Sequence, residues 1–413
     1  MTGASRGGGR VAVAVFLLVA MISGSARAGA VDVGPQQGQP AAASALLPDI
    51  EWYAREFDVS LDEAIRRGEL YLDLDRLVAA AREASSSRWA GGWIQHKPTF
   101  SLVLRFTGED IGLDVIHEMV RQAPVPVSFL TGATHSVADL EAAHDRIRPR
   151  LGESWPKAGS GVDVSAGRIL VTSPTPISQA DIDDLAGVAG IPVAVMVGGA
   201  TQRLHTYGVK RLTNTGIGTD ECTAGFTVRN LTTGVKGLTT AGHCNNALTY
   251  WEAGSVSYPL TYMGVRLDAD QDVQWHKENV HFVYPKFWDG IGLRSAHALV
   301  ARLDMPNDSV CHYGIGSGTS CGTVIAIHFD PGDYCGPSGL DPCDATWVQV
   351  DGNQIDCWRG DSGGPVFWGS PANVYGTLIF GNIDLITDEC YWWAFMSIGF
   401  VTSGGMNLEV LLE

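Results

Sequence analysis

Gly360-Asp361-Ser362-Gly363-Gly364-Pro365-Val366 is the stretch of this chain best suited to do chemistry. A serine between glycines on a tight turn is what nucleophilic acyl transfer needs. Small neighbours let a carbonyl approach, and the N–H groups of Gly360 and Ser362 can face the oxyanion that forms. The same letters fit the G-x-S-x-G turn of an α/β-hydrolase, but that arrangement places its histidine after the serine. Here the last histidine is His328, so a general base must precede Ser362. Thr239-Thr240-Ala241-Gly242-His243-Cys244 supplies one, a histidine among small residues followed at once by a cysteine able to pin it. An imidazole that takes a proton from serine needs a carboxylate on its other nitrogen, to fix the tautomer and stabilise the imidazolium. Asp268, Asp270 and Asp272 stand together between the two motifs.

The elements around these motifs read as short strands. After Gly198-Gly199, alternating stretches separated by Gly, Asn, Asp, Thr and Ser run almost to the end: Gly225–Val228, Gly237–Thr240, Val280–Val283, Gly322–Ile327, Ala345–Val350, Val366–Trp368 and Tyr375–Phe380. That spacing predicts an all-β sandwich or barrel. The preceding part differs. Pro48 to Ala84 has helical periodicity, with Ile50, Tyr53, Ala54 and Phe57 on one face and Ser60-Leu61-Asp62-Glu63 fitting a capping box. Two β-α-β units follow: Thr99–Phe106, Ile111–Gln122 and Val125–Leu130, then a hairpin over Val162–Thr172, a helix capped at Ser178 and a strand over Ile191–Val197. The expectation is a small α+β domain. Its histidines (His96, His117, His135 and His144) show no triad or ligand spacing and read as solvated or structural.

Together with Cys222-Thr223-Ala224-Gly225-Phe226, Val310-Cys311 and Ser320-Cys321-Gly322-Thr323, the serine and histidine motifs resemble those of the secreted chymotrypsin-fold serine proteases of bacteria, the α-lytic protease and streptogrisin group. The resemblance covers residues 197–413 by motif, and the segment before them more loosely as a pro-region. It implies a protease domain of two antiparallel β-barrels, with His243 and the acid on one and Ser362 on the other. Asp272-Val273-Gln274-Trp275 matches the family's aspartate entering a strand, which selects Asp272, with Asp270 next; Gln274 is more polar than the residue usual there. The resemblance further implies the pairs Cys222–Cys244, Cys311–Cys321 and Cys357–Cys390, which leaves Cys335–Cys343 as an extra short loop. It implies a short C-terminal helix over Asn407–Leu412. Pocket walls are expected from Asp356–Arg359, Ile379–Asn382 and the region after Cys390, naming Asp356, Arg359, Ile379, Phe380 and Gly381. Asp356 would favour Lys or Arg in the substrate. However, Cys357 stands five residues before Ser362, a spacing foreign to the trypsin pattern, and the apolar Ile379 and Phe380 point to an apolar or medium-sized side chain. No cofactor is implied.

Residues 1–29 read as an export signal: Arg6 and Arg10, an apolar run from Val11 to Ile22, and Ala26-Arg27-Ala28 as the cleavage site. A run that short falls below the ~20 residues of a spanning helix, so the mature chain is expected to be extracellular and free of the membrane. All eight cysteines lie between Cys222 and Cys390, an even and clustered set that in an exported chain means disulfides. Zinc on Cys244, Cys311 and His312 is the competing reading, and no C-x-x-C pair accompanies it. The formal net charge of −17 argues against a nucleic-acid partner. The sequence thus predicts a signal peptide (1–29), a pro-region (30–197) and a serine protease domain (198–413). The partners expected are protein or peptide substrates and the chain's own pro-region, which the enzyme itself removes near Val197–Arg203. An inactive protease-like interaction module, or an esterase using the same three residues, is the alternative.

Overall fold

Apolar residues at helical spacing open the fold, which is known from a computed structural model. It describes residues 47–413 apart from 111, 204–210, 215–219, 252–255, 281, 302–305, 333–334, 337–340, 385 and 404. The expected export signal lies outside the described residues. Helix α1 (Pro48–Phe57) begins with proline at its first turn, where the missing N–H leaves no bond unmade, and turns Ile50, Tyr53 and Ala54 inward. Helix α2 (Leu61–Ala84) starts where expected, with Ser60 Oγ accepting from the Glu63 N–H.

Two units of one design follow. The first runs β1 (Trp89–Gln95), β2 (Ser101–Thr107), α3 (Asp114–Arg121), β3 (Val127–Ala133). After helix α4 (Val137–Ser154) comes the second: β4 (Gly159–Asp163), β5 (Arg168–Ser173), α5 (Gln179–Ala189), β6 (Val193–Val197). In each, an antiparallel hairpin continues through a helix into a strand parallel to the hairpin's second arm. The sequence reading found this duplication but missed α4. Its signal was present: Ser136 and Asp139 form a reciprocal capping box.

The remaining chain is almost all strand. It runs β7 (Ala200–Arg203), β8 (Arg211–Asn214), β9 (Asp220–Thr223), β10 (Thr227–Asn230), β11 (Lys236–Thr240), β12 (Leu248–Trp251), β13 (Ser257–Pro259), β14 (Thr261–Leu267) and β15 (Asp272–Lys277). Then come β16 (Lys286–Trp288), β17 (Leu293–Leu299), β18 (Ser309–Gly314), β19 (Gly318–Asp330), β20 (Trp347–Asp351), β21 (Pro365–Trp368), β22 (Ala372–Ile383), β23 (Cys390–Ser397), α6 (Ile398–Ser403) and β24 (Leu408–Val410). Strands β18, β19, β20, β23, β22 and β21 pair in that order, and β21 returns to β18, closing a barrel. The half before it is a five-stranded sheet, β14-β15-β11-β10-β24, and a four-stranded sheet, β13-β12-β8-β9.

Two local expectations are corrected. Asn407–Leu412 forms no helix: Leu408 and Val410 alternate inward as β24, whose partner is the open edge of β10, Val228 opposite Val410. Among the described residues of the expected strand over Val280–Val283, Val280, Phe282 and Val283 form none, and Val280 and Phe282 are instead exposed. An apolar run alone does not make a strand without a neighbour to pair with.

The N-terminal part is continuous with the strand-rich part. Trp52, Tyr53 and Tyr71 surround Trp368 of β21, with ring centroids 6.2, 5.1 and 5.7 Å away. Strand β4 pairs antiparallel with β19, Val162 opposite Ile327 and Ser160 opposite Asp330. Strand β7 pairs antiparallel with β22, Thr201 opposite Asn382 and Arg203 opposite Phe380.

His96 joins the two parts. Its Nδ1 accepts from the Tyr53 hydroxyl and its Nε2 donates to the Asn307 carbonyl, each at 2.8 Å. Burial pushes this imidazole down to about 4, against ~6.5 in an unfolded chain. The unfolded chain therefore binds a proton that the fold excludes, so the stability is complete above pH ~6.5 and drains as pH falls towards 4. We expect a loss of about 3 kcal/mol between pH 7 and pH 4 from this group. Urea unfolding of the parent and of His96→Gln at both pH values checks it, since an identical pH loss in the two proteins would remove His96 as the cause.

Candidate active site

Ser362 sits on the turn that leads into β21. Gly360 and Gly363 hold it at φ of +102° and +92°, where a side chain is strained. A Cβ on Gly363 would lie 2.1 Å from Thr240 Oγ1, so only glycine fits between the serine turn and the histidine loop. Among the described residues no acceptor bonds the N–H of Gly360 or of Ser362, which leaves both donors free.

The histidine and one aspartate come from the other half. His243 follows the end of β11, and Asp272 opens β15, the strand paired beside it. His243 Nε2 lies 2.9 Å from Ser362 Oγ, and Nδ1 lies 2.7 Å from Asp272 Oδ2. The other carboxylate oxygen accepts the His243 backbone N–H at 2.9 Å, which fixes the ring's approach to Asp272. Asp272 is 1% exposed, so little water competes for those bonds. Asp268 instead pairs with Arg266 at 3.1 Å, and Asp270 accepts from the Gln271 amide; both stay on the turn before β15. Gln274, out of pattern by its polarity, is buried and donates its amide to the carbonyls of Ala241 and Cys244, 3.0 Å each. It ties down the carbonyls on either side of His243, a role its sequence neighbours did not disclose.

Two further residues position the serine loop. Thr223 donates its N–H to Ser362 O and its hydroxyl to Gly360 O, at 2.8 and 2.7 Å. Asp361 turns its buried carboxylate away from the serine onto the β18–β19 turn. It accepts from Gly316 N at 2.7 Å, Ser317 N at 3.1 Å, Ser317 Oγ at 2.6 Å and Trp358 N at 2.6 Å. Burial raises the Asp361 carboxyl above its usual range, against the pull of His312 and of these donors. Thr223 lies within a motif the sequence singled out, whereas Ser317 carried no local signal.

The four disulfides are Cys222–Cys244, Cys311–Cys321, Cys335–Cys343 and Cys357–Cys390, and no cysteine is free. The sulfurs of Cys244 and Cys311 belong to different disulfides, so the zinc reading of Cys244, Cys311 and His312 falls. His312 donates Nε2–H to the Asp356 carbonyl, 2.9 Å away. Among the nominated pocket residues, Ile379, Phe380 and Gly381 are buried in β22, and Phe380 packs edge-on against Trp347. Asp356 and Arg359 keep their side chains at the surface. Beside His243 lies an open groove of about 660 Å³ lined by Gly242–Asn246 and Val265–Asp268.

This fold and site define a class: the chain is similar to the bacterial chymotrypsin-fold serine proteases. Streptogrisin-C of Streptomyces griseus is 23% identical to it over 370 residues, which cover 88% of this chain and 75% of that protein. Among solved structures, Thermobifida fusca protease A is 22% identical with a TM-score of 0.38, the match covering 50% of this chain and 99% of that one. For Nocardiopsis protease the values are 18% and 0.39, covering 50% and 98%. No protein-family model matches the chain. No helix among the described residues is long and apolar enough to cross a membrane.

Proposed function

We propose that this chain is a secreted serine endopeptidase made as a precursor. The observation that carries the reading is the Ser362–His243–Asp272 hydrogen-bonded series. Ser362 Oγ attacks the scissile carbonyl while His243 Nε2 takes its proton and then delivers it to the leaving amine. Asp272 holds Nδ1–H and stabilises the imidazolium. The N–H groups of Gly360 and Ser362 bind the oxyanion, and water then repeats the sequence on the acyl-enzyme. Residues 1–29 act as the signal, 30–197 as the pro-region and 198–413 as the catalytic domain.

Self-removal of the pro-region is supported by where β7 runs. It lies along β22 with Arg203 opposite Phe380, one residue from Ile379, whose carbonyl is 3.4 Å from Ser362 Oγ. The segment joining the two regions thus already runs as an added strand beside the nucleophile. Ser362 is fully buried in this full-length form, in keeping with a latent precursor. Secreted Ser362→Ala protein should accumulate as a chain of roughly residues 30–413, while the parent yields a fragment beginning near Val197–Arg203. Intact-mass analysis, in a host lacking its own extracellular proteases, decides it. A Ser362→Ala chain trimmed at the same point assigns the cut to another protease.

A further inference from the structure

We propose that His144, Asp145 and His328 form a divalent-cation site, of zinc-binding chemistry, at the seam between helix α4 and strand β19. One ligand atom from each of the three lies within 4.8 Å of the others. The two imidazoles meet edge to face at 5.4 Å between centroids, and His328 Nε2 lies 3.3 Å from Asp145 Oδ1. These residues are 183 positions apart in sequence, from Asp145 to His328, and meet only because β4 pairs with β19.

His144 supplies the decisive detail. It is fully buried, its Nε2 is 2.8 Å from Ser160 Oγ, and its Nδ1 has no partner. A buried nitrogen without a bond is costly. If Nε2–H donates to the serine, Nδ1 is left with a free lone pair, which is the arrangement of a metal-binding histidine anchored through its second nitrogen. Two imidazoles and one carboxylate, with a fourth position left to water, match the ligand types and number that zinc takes in open sites. Zinc would need these three atoms at about 2.0–2.1 Å from the ion.

The surroundings favour a dication. Asp330 and Asp344 lie near Asp145, and the one guanidinium among them, Arg148, bonds Asp330 at 2.7 Å while standing 3.8 Å from Asp145 and 4.0 Å from Asp344. Three carboxylates thus face one cation. A cleft of about 480 Å³ opens to solvent along Asp145 and Ser160, beside the site. The site joins α4 to the strand-rich part; on the reading proposed above, it therefore fastens the pro-region to the catalytic domain.

The test uses full-length secreted Ser362→Ala protein, freed of metal by chelation, with Zn²⁺ and Co²⁺ as probes. Equilibrium dialysis at equal protein and Zn²⁺ concentrations should recover one equivalent of zinc, and Co²⁺ should give the strong visible absorption of a tetrahedral site. Both should be lost in His328→Asn and in Asp145→Asn. These side chains are partly or largely exposed, and Asn tolerates the positive φ of 48° at position 328, so the fold survives. Circular dichroism checks that it has. Absence of stoichiometric zinc, or equal uptake by the parent and both variants, overturns the site. Neither readout needs catalysis, so failure of the protease reading would show separately, as a Ser362 that stays unreactive in the parent after its N-terminal part has been removed.

Discussion

The His243→Ala chain, freed of its N-terminal part by an added protease because it cannot cut itself, should fail to react with a fluorophosphonate at neutral pH, while the parent is labelled at Ser362. An ordinary serine hydroxyl is a weak nucleophile, and only the 2.9 Å contact with His243 Nε2 gives it a base. Removing either partner should lower kcat on a peptide substrate by on the order of 10⁵–10⁶-fold, because the two act as a unit. Asp272→Asn should cost roughly 10⁴-fold, since an amide stabilises the wrong tautomer of His243 while leaving the geometry intact. Mass spectrometry of the labelled peptide reads all of this. Full-rate labelling in His243→Ala would end the assignment of His243 as the base.

Asp49→Ala should be the most destabilising single change in the N-terminal part. Asp49 is fully buried in the first turn of α1, and both its oxygens receive the Arg294 guanidinium, at 3.0 and 3.1 Å. One of them also accepts the Gly369 N–H at 3.0 Å. Truncating the aspartate leaves a guanidinium that is 8% exposed, with its next carboxylate, Asp289, at 3.8 Å. Removing one partner of such a pair costs about 3–5 kcal/mol, because the other charge stays buried. The double variant Asp49→Ala/Arg294→Met should recover much of that loss, since no charge is then stranded. Urea unfolding on the Ser362→Ala background measures both. A loss below ~1 kcal/mol for Asp49→Ala would show that water reaches Arg294.

What the sequence disclosed follows from how far apart the interacting residues lie. The serine turn and histidine loop are short runs of small residues whose constraint is local, as at Gly363, so they are legible letter by letter. The repeated hairpin-helix-strand unit is legible for the same reason: its periodicities switch within a few residues. Asp272 needed the resemblance, because three aspartates share one turn and only the strand start sets which one faces His243. Asp49 and Arg294 are separated by 245 positions, and nothing near either names its partner. His144 read as one more structural histidine for that reason, since His328 reaches it only through the β4–β19 pairing. Asn407–Leu412 went wrong in the opposite sense. Family habit implied a helix, whereas the unpaired edge of β10 takes those residues as a strand.

That last strand sets an order on biogenesis. β24 is hydrogen-bonded to β10, which is bonded to β11, which in turn pairs with β15, the strand that begins at Asp272. On the secretion proposed above, a chain threaded out from its N-terminus presents His243 and Asp272 long before residues 408–410 emerge. The sheet behind the histidine then lacks its closing member and keeps a bare edge. Assembly of that sheet is therefore completed only when the C-terminal strand is free to pair, after Ser362 itself has emerged. A chain stalled or cut short upstream of Leu408 carries all three reactive side chains but not the sheet that aligns two of them.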